Sequence, residues 1–417
     1  MQLLIMKVFA FIINMLLCTN LVHAQENDSS YVEQSGQDMQ VSLITCSPGT
    51  EIHAFFGHTA IRVIDKQNRR DIVFNYGMFN YKTENFIYKF VKGETFYELG
   101  AEPADFFFER YNERNVNVTE QILNLTPEEK IQIQALLFEN LLPENRLYKY
   151  NWLYDNCATR ARDMIEKVID GEVQYGESSY ADLTTREILR KHTSVNSWIE
   201  FGIDMLLGTE IDKPLTKRQQ MFIPSNLQEQ VSHAVIHNSD NTTRNLVLAT
   251  SCPIKHDASI KEDKSHMALI FTTGLLLLTI LLTFYEIKKK KIFKWFDVIL
   301  AFCVGTIGLL ISFLFFFSDH PGVSTNYLVI IFNPLAYLTI PFIIKRKTKI
   351  LSYVILADII IFILTIVLVQ QTLNTAILPL ASILLVRVIV NIIFFHIFAK
   401  QKNNTETIKL NIKHGIQ

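Results

Sequence analysis

The pattern of apolar and polar positions divides this chain of 417 residues into two parts. From Met267 onward, five apolar runs lie near 267–286, 297–317, 327–344, 351–370 and 375–399. Each is close to the roughly 20 residues that cross a bilayer core as a helix. Pro334 and Pro341 predict a bend in the third. The preceding part is mixed. Val41–Cys46 reads as a short strand, and His58–Ile64 alternates as a second. Lys66–Arg70 turns back into a third, Ile72–Phe79, giving a hairpin. A turn centred near Asn68 predicts pairing of residue 61 with 75, which puts Asn75 one step from His58. Helices are expected at 84–91 and 103–113, with strands at 95–100 and 116–125. Thr126-Pro127-Glu128-Glu129 has the form of a capping box with Pro at the first helical position, so a helix runs from there to about Leu141. Asp155-Asn156-Cys157 precedes a helical run at 158–168, and the remainder to about 250 reads as mostly helical. The fold class is therefore α+β with an antiparallel sheet, followed by an all-α domain of five transmembrane helices.

Charge sharpens this division. Residues 266–417 carry 14 Lys+Arg against 5 Asp+Glu, whereas 1–265 carry 26 against 36. The net charge of −1 excludes a uniformly basic nucleic-acid binder. The basic clusters Lys288–Lys291 and Lys345–Lys347 follow the first and third runs, and four lysines follow the fifth. The other two loops, 318–326 and 371–375, have no Lys or Arg. Positive-inside logic puts the basic loops and the C-terminus in the cytoplasm and the first 250 residues outside. Residues 1–24, apolar and ending Val22-His23-Ala24, read as a secretory signal, which agrees with that topology. The expected organisation is signal 1–24, polar tether 25–38, extracytoplasmic domain 39–252, linker 253–266, spans 267–399 and basic tail 400–417. Arg387 and Asp358 fall within spans; the expectation is that they pair with each other or that Arg387 reaches the inner face.

Five cysteines, at 18, 46, 157, 252 and 303, lack zinc-type spacing, and neither a metal nor a nucleotide cofactor motif is present. Cys157 is different because Asp155 or Asn156 can cap the helix that follows it. A thiol at a helix N-terminus is stabilised as thiolate, the form needed for nucleophilic catalysis. Arg160 and Arg162 add positive charge nearby. The alternative is an inert, buried cysteine in the core. His58, after Gly57 and at the start of its strand, is a candidate base, with Asn75 or Asp71 as the group that orients it and His53 as a rival. Cys46 is the rival nucleophile. In an oxidising compartment it could pair with Cys252, leaving Cys157 as the odd thiol. Phe106-Phe107-Phe108 reads as core or as the lining of an apolar groove.

The segments LITCSPGTEIHAFFGHTAIRV (43–63), DIVFNYGMFNY (71–81) and PENRLYKYNWLYDNCATRARD (143–163) resemble the Lnb N-terminal periplasmic domain. The resemblance covers roughly 40–250, and the membrane-spanning half fits the same layout. It implies a papain-like, NlpC-type cysteine fold. The order His58 then Cys157 is similar to the circularly permuted branch that includes lecithin:retinol acyltransferase. The implied activity is lipoprotein N-acylation: a phospholipid acyl donor, a thioester at Cys157, and a lipoprotein amine as acceptor. Cys157, His58 and Asn75 are then the catalytic residues, with Asp155, Asn156, Arg160 and Tyr76 in support. A cysteine peptidase or amidase acting on cell-wall peptides, and a non-enzymatic envelope sensor, are the competing readings.

Overall fold

The computed structural model describes residues 36–414 apart from 52, 53, 81, 257–262 and 264, and the side chains up to residue 395. The expected signal and most of the tether, together with His53 and Cys18, lie outside the described residues. In chain order the elements begin with β1 (Met39–Cys46), β2 (His58–Asp65), β3 (Arg70–Met78), α1 (Phe86–Lys92) and β4 (Phe96–Pro103). There follow α2 (Ala104–Glu113), β5 (Val118–Leu123), α3 (Pro127–Leu141), β6 (Leu147–Lys149), α4 (Cys157–Val168) and β7 (Gly171–Gln174). Next come α5 (Thr185–Thr193), α6 (Ser197–Leu206), α7 (Lys217–Gln220), α8 (Pro224–Ser232), β8 (Val235–Asn238), β9 (Thr243–Asn245) and β10 (Val247–Ile254). The last helices are α9 (Met267–Lys289), α10 (Lys294–Phe317), α11 (Ala336–Ile344), α12 (Lys349–Val369) and α13 (Ile377–His414).

These elements form two compact units. The first comprises 36–84, 95–181 and 216–256. Seven strands make an antiparallel sheet in the order β10-β5-β1-β2-β3-β4-β6, and β7, β8 and β9 form a small second sheet. The strands after residue 170 correct the expectation of a mostly helical remainder. β7, β8 and β9 are only three or four residues long, and β7 and β10 pair with strands distant in sequence, so periodicity does not reveal them.

Strand alternation splits the core into two layers. Leu43, Ile61, Phe74 and Leu99 face one side, where Ile133 and Leu137 of α3 and Ala161 and Ile165 of α4 cover them. Ile44, Ala60 and Val73 face the other, against Phe107 and Tyr111 of α2. The start of α3 is fixed as its sequence requires. Thr126 Oγ1 accepts from Glu129 N, and a Glu129 carboxylate oxygen accepts from Thr126 N at 2.7 Å. The phenylalanine triplet divides: Phe107 is fully buried, Phe108 packs at the edge of that layer and Phe106 is exposed.

The second unit comprises 85–94, 182–215 and the chain from 263 on. Four of its helices, α9, α10, α12 and residues 377–395 of α13, are long and apolar enough to cross a membrane. The third expected span is not one helix. It is a 3-10 turn at Tyr327–Ile330, a break at Asn333-Pro334 and the nine residues of α11. A helix of that length rises only about 14 Å. Pro334 and Pro341 lack the N–H that would continue the helical ladder, so the segment breaks where the sequence led us to expect a bend. It nonetheless runs from one end of the bundle to the other. Gln371, just past α12, accepts from Tyr327 N at 2.9 Å, while Lys294, at the start of α10, lies 3.5 Å from the carbonyl of Ile344.

Arg387 corrects one of the two expectations for it, the pairing with Asp358, while its partners lie at the basic-loop ends of α9 and α10. Its partners are Asp297 and Glu286, at 2.6 Å each, and not Asp358. Both acids sit near helix ends, where they read as solvated flanks rather than as partners for an intramembrane charge.

Candidate active site

Cys157 opens α4. Of the two caps that the sequence offers, Asn156 fills the position. Its Oδ1 accepts from Ala158 N and Thr159 N at 2.9 and 3.0 Å, and Thr159 Oγ1 accepts from Asn156 N at 2.8 Å. Asn156 Nδ2 donates to the carbonyls of Trp152 and Phe222, which ties the helix start to two other segments. The thiol therefore sits in the first turn, where the positive end of the helix favours thiolate. Gly77 flanks it: a Cβ there would lie 3.8 Å from the Cβ of Cys157.

His58 begins β2. Gly57 before it has φ +78°, and any Cβ at that position would come within 2.5 Å of the Cys46 carbonyl, so the turn into the strand requires glycine. The β2–β3 register differs by one from the expected pairing, because Ile61 lies opposite Phe74 and not residue 75. Asp65 sets the turn by accepting from Asn68 N and Nδ2, with Arg69 in the left-handed region. The difference is decisive, since a one-residue slip exchanges the faces of a strand. In the observed register Asn75 shares the face of His58, and His58 Nε2 lies 3.1 Å from Asn75 Oδ1.

A further pair fixes the direction of this hydrogen bond. Asn75 Nδ2 lies 3.1 Å from Glu102 Oε1, and Glu102 is bound to Arg110, with Arg110 Nη1 2.7 Å from Oε2. A carboxylate only accepts, so the Asn75 amide turns its NH2 to Glu102 and its oxygen to His58. His58 then carries its proton on Nε2, which leaves Nδ1 for the thiol. The Tyr111 ring stacks against the imidazole, with centroids 6.5 Å apart.

Burial pushes the Cys157 thiol up. The charge and hydrogen bond of His58, with the N–H groups of Thr59 and Ala158, more than offset this and hold it below the ordinary thiol range. Burial likewise pushes His58 down, and the opposing charge and hydrogen bond of Cys157, with that of Asn75, raise it above the usual imidazole value. Each group therefore favours the charged form of the other, thiolate on Cys157 and imidazolium on His58. Arg160 and Arg162 do not produce this. Arg160 is held by Asp155 at 2.6 and 2.8 Å and lies over the Tyr148 ring, whereas Arg162 binds Asp163 and the Arg218 carbonyl.

Two family models match the chain. Residues 29–191 match the Lnb N-terminal periplasmic domain, and residues 262–399 match the Lnb transmembrane domain. The chain belongs to the Lnb-type family. As in that family's layout, a periplasmic domain is joined to a membrane-spanning region. No curated protein and no solved structure matches it.

Within this Lnb-type periplasmic domain the rival residues that are described are otherwise engaged. Cys46 pairs with His58 across β1 and β2, but it is fully buried and its thiol is pushed far up by burial. Cys46 and Cys252 are both free, so no disulfide joins them. Asp71 binds Arg62 at 2.8 and 2.6 Å. Tyr76 is buried in the core, and its hydroxyl donates to Asn140 Oδ1. Three contributors were missed by sequence reasoning: Glu102, Arg110 and Tyr148. The Tyr148 hydroxyl is buried with no hydrogen-bond partner among the described residues, and a Cβ on Gly77 would lie 3.9 Å from it. Alternation through Leu147–Lys149, just upstream of Cys157, is the one signal that could have found it.

Proposed function

We propose that this protein is a lipoprotein N-acyltransferase built on a circularly permuted papain-like domain, and that Cys157, His58 and Asn75 carry the reaction. The observation that carries this reading is the position of His58, hydrogen-bonded to the Asn75 amide and beside the Cys157 thiol at the start of α4. The Cys157 thiolate attacks an ester carbonyl of a membrane phospholipid. A hydrogen bond from the unpartnered Tyr148 hydroxyl stabilises the oxyanion, together with backbone N–H groups at the start of α4. The intermediate collapses, the lysophospholipid oxygen leaves with a proton from His58, and the acyl group remains as a thioester. The free amine of a diacylglyceryl-cysteine lipoprotein then attacks the thioester. His58 takes the proton from nitrogen, and the thiolate departs. The chemistry needs no metal or nucleotide. Placement in the inner membrane, with the basic loops and the C-terminus in the cytoplasm, follows from the charge pattern. Both substrates are then anchored at the face that bears the domain, which favours them over soluble cell-wall peptides.

The test is mass spectrometry of the full-length protein incubated with phospholipid and no amine acceptor. The expected result is an acyl-sized adduct on the peptide containing Cys157, removed by hydroxylamine and absent from Cys157→Ala. A folded protein without the adduct sinks the proposal and turns attention to peptide amides.

A further inference from the structure

Helix α1 lies in sequence between β3 and β4, yet it belongs to the membrane unit. Three hydrogen bonds fasten it. Asp319 N donates to the Lys92 carbonyl at 2.8 Å, Ser318 Oγ donates to the Val91 carbonyl at 2.8 Å, and the His320 ring bonds the Phe90 carbonyl at 2.6 Å. Gly93 permits this approach, since a Cβ there would meet His320 N at 3.0 Å. Ser318 to His320 directly follow Phe317, the last residue of α10. The helix is therefore fixed where a spanning helix ends. It buries none of its own residues: Ile87, Tyr88 and Phe90 are 78%, 55% and 45% exposed. Three large apolar side chains on seven residues have no reason to face water.

A second segment stands at the same level. Helix α6 is joined to the first turn of α9, where Ala268 N donates to Ser197 Oγ at 3.1 Å. Its Trp198, 46% exposed, packs against Phe271 of α9. α9 and α10 are consecutive crossings, so the start of α9 and the end of α10 lie on the same side, the one whose loops 318–326 and 371–375 carry no Lys or Arg. Tyr and Trp at that level, with Lys89 and Lys92 beside them, match the chemistry of a membrane–water interface.

We infer that α1 and Trp198 form an interfacial collar that inserts Ile87, Tyr88, Phe90 and Trp198 into the outer leaflet of the bilayer. The partner is the lipid surface itself. The inference does not depend on the acyl-transfer reading. Its consequence is that the chain leaves β3, the strand of Asn75, and within seven residues enters a lipid-embedded helix before returning as β4.

The test uses full-length protein carrying a single tryptophan, reconstituted in phosphatidylcholine vesicles brominated near the top of the acyl chains. One variant keeps only Trp198, through Trp152→Phe and Trp295→Phe. The other also carries Trp198→Phe and places the reporter at the exposed Tyr88→Trp. Retained alkylation of Cys157 by iodoacetamide certifies the fold of each. Both tryptophans are expected to lose most of their emission to the brominated lipid and to be protected from aqueous iodide. Iodide quenching without bromine quenching overturns the inference, as does protection from both quenchers. Bromine quenching of Trp198 alone overturns it for α1.

Discussion

Each unit of this protein withdraws ionisable groups from water, and the two do so in opposite ways. In the membrane unit the Arg387 guanidinium donates to Asp297, Glu286 and Thr283, so that every N–H of the fork has an acceptor. Arg387, Glu286 and Asp297 are all buried, and Asn391 closes the cluster with contacts to Asp297 and to the Arg387 carbonyl. In the periplasmic unit His58 and Cys157 are only half-buried, and beside them the Tyr148 hydroxyl has no partner among the described residues. A saturated cluster has nothing to offer a ligand and fixes helices in place. A cluster with an unfilled donor and a tuned thiol retains capacity that a reacting group can use.

The largest effect that sharpens this contrast is expected from His58→Ala. The thiol loses the charge that holds it below its ordinary range, so the midpoint for alkylation of Cys157 moves to higher pH. Acyl transfer falls by about 10²- to 10⁴-fold, the span for loss of an acid–base group. In the parent protein, activity is lost as pH falls through the lowered Cys157 value and lost again as pH rises past the raised His58 value. An unmoved alkylation midpoint breaks the comparison at its root.

Arg387→Met comes next. It leaves two buried carboxylates without their cation, at a cost of about 3–5 kcal/mol. A large drop in the unfolding temperature in detergent is expected, and adding Glu286→Gln and Asp297→Asn restores most of it. A single variant as stable as the parent shows that the cluster is not the saturated structural device described.

Tyr148→Phe is expected to separate function from stability. Turnover falls by about 10²-fold for loss of one oxyanion donor. The fold is unharmed or firmer, because a buried hydroxyl without a partner is itself a cost. Unchanged turnover removes Tyr148 from the chemistry. Glu102→Gln should have the smallest effect, on the order of tenfold in turnover, with a shifted pH profile, because either end of the new amide can face Asn75 and the orientation of His58 is no longer fixed. An identical pH profile means that Glu102 only packs.

What the sequence reveals here is local chemistry. The Thr126–Glu129 capping box and the cap ahead of Cys157 are each contained within four residues, and both are legible without a structure. The hairpin is legible, but its register is not, because the turn depends on Asp65 holding Asn68 and on a left-handed Arg69. Glu102 and Arg110 reach Asn75 only through the β3–β4 pairing, and nothing in their own surroundings marks them. The same limit hid the partners of Arg387, which lie about 100 residues away on other helices. It also hid the nature of α1, since a helix with no buried face reads as an ordinary surface helix until its neighbours are known.

The broken segment at 327–344 bears on how the membrane unit is assembled. A nine-residue helix with Pro341 inside it and Pro334 just before it is a poor signal for insertion by itself, and its bare backbone groups cannot be left facing lipid. Those groups are shielded only when α10 and α12 stand on either side. This segment is therefore expected to settle in the bilayer only once α12 has been made, as a passenger of helices on both sides of it in the chain. Truncating the chain ahead of α12 would strand it outside.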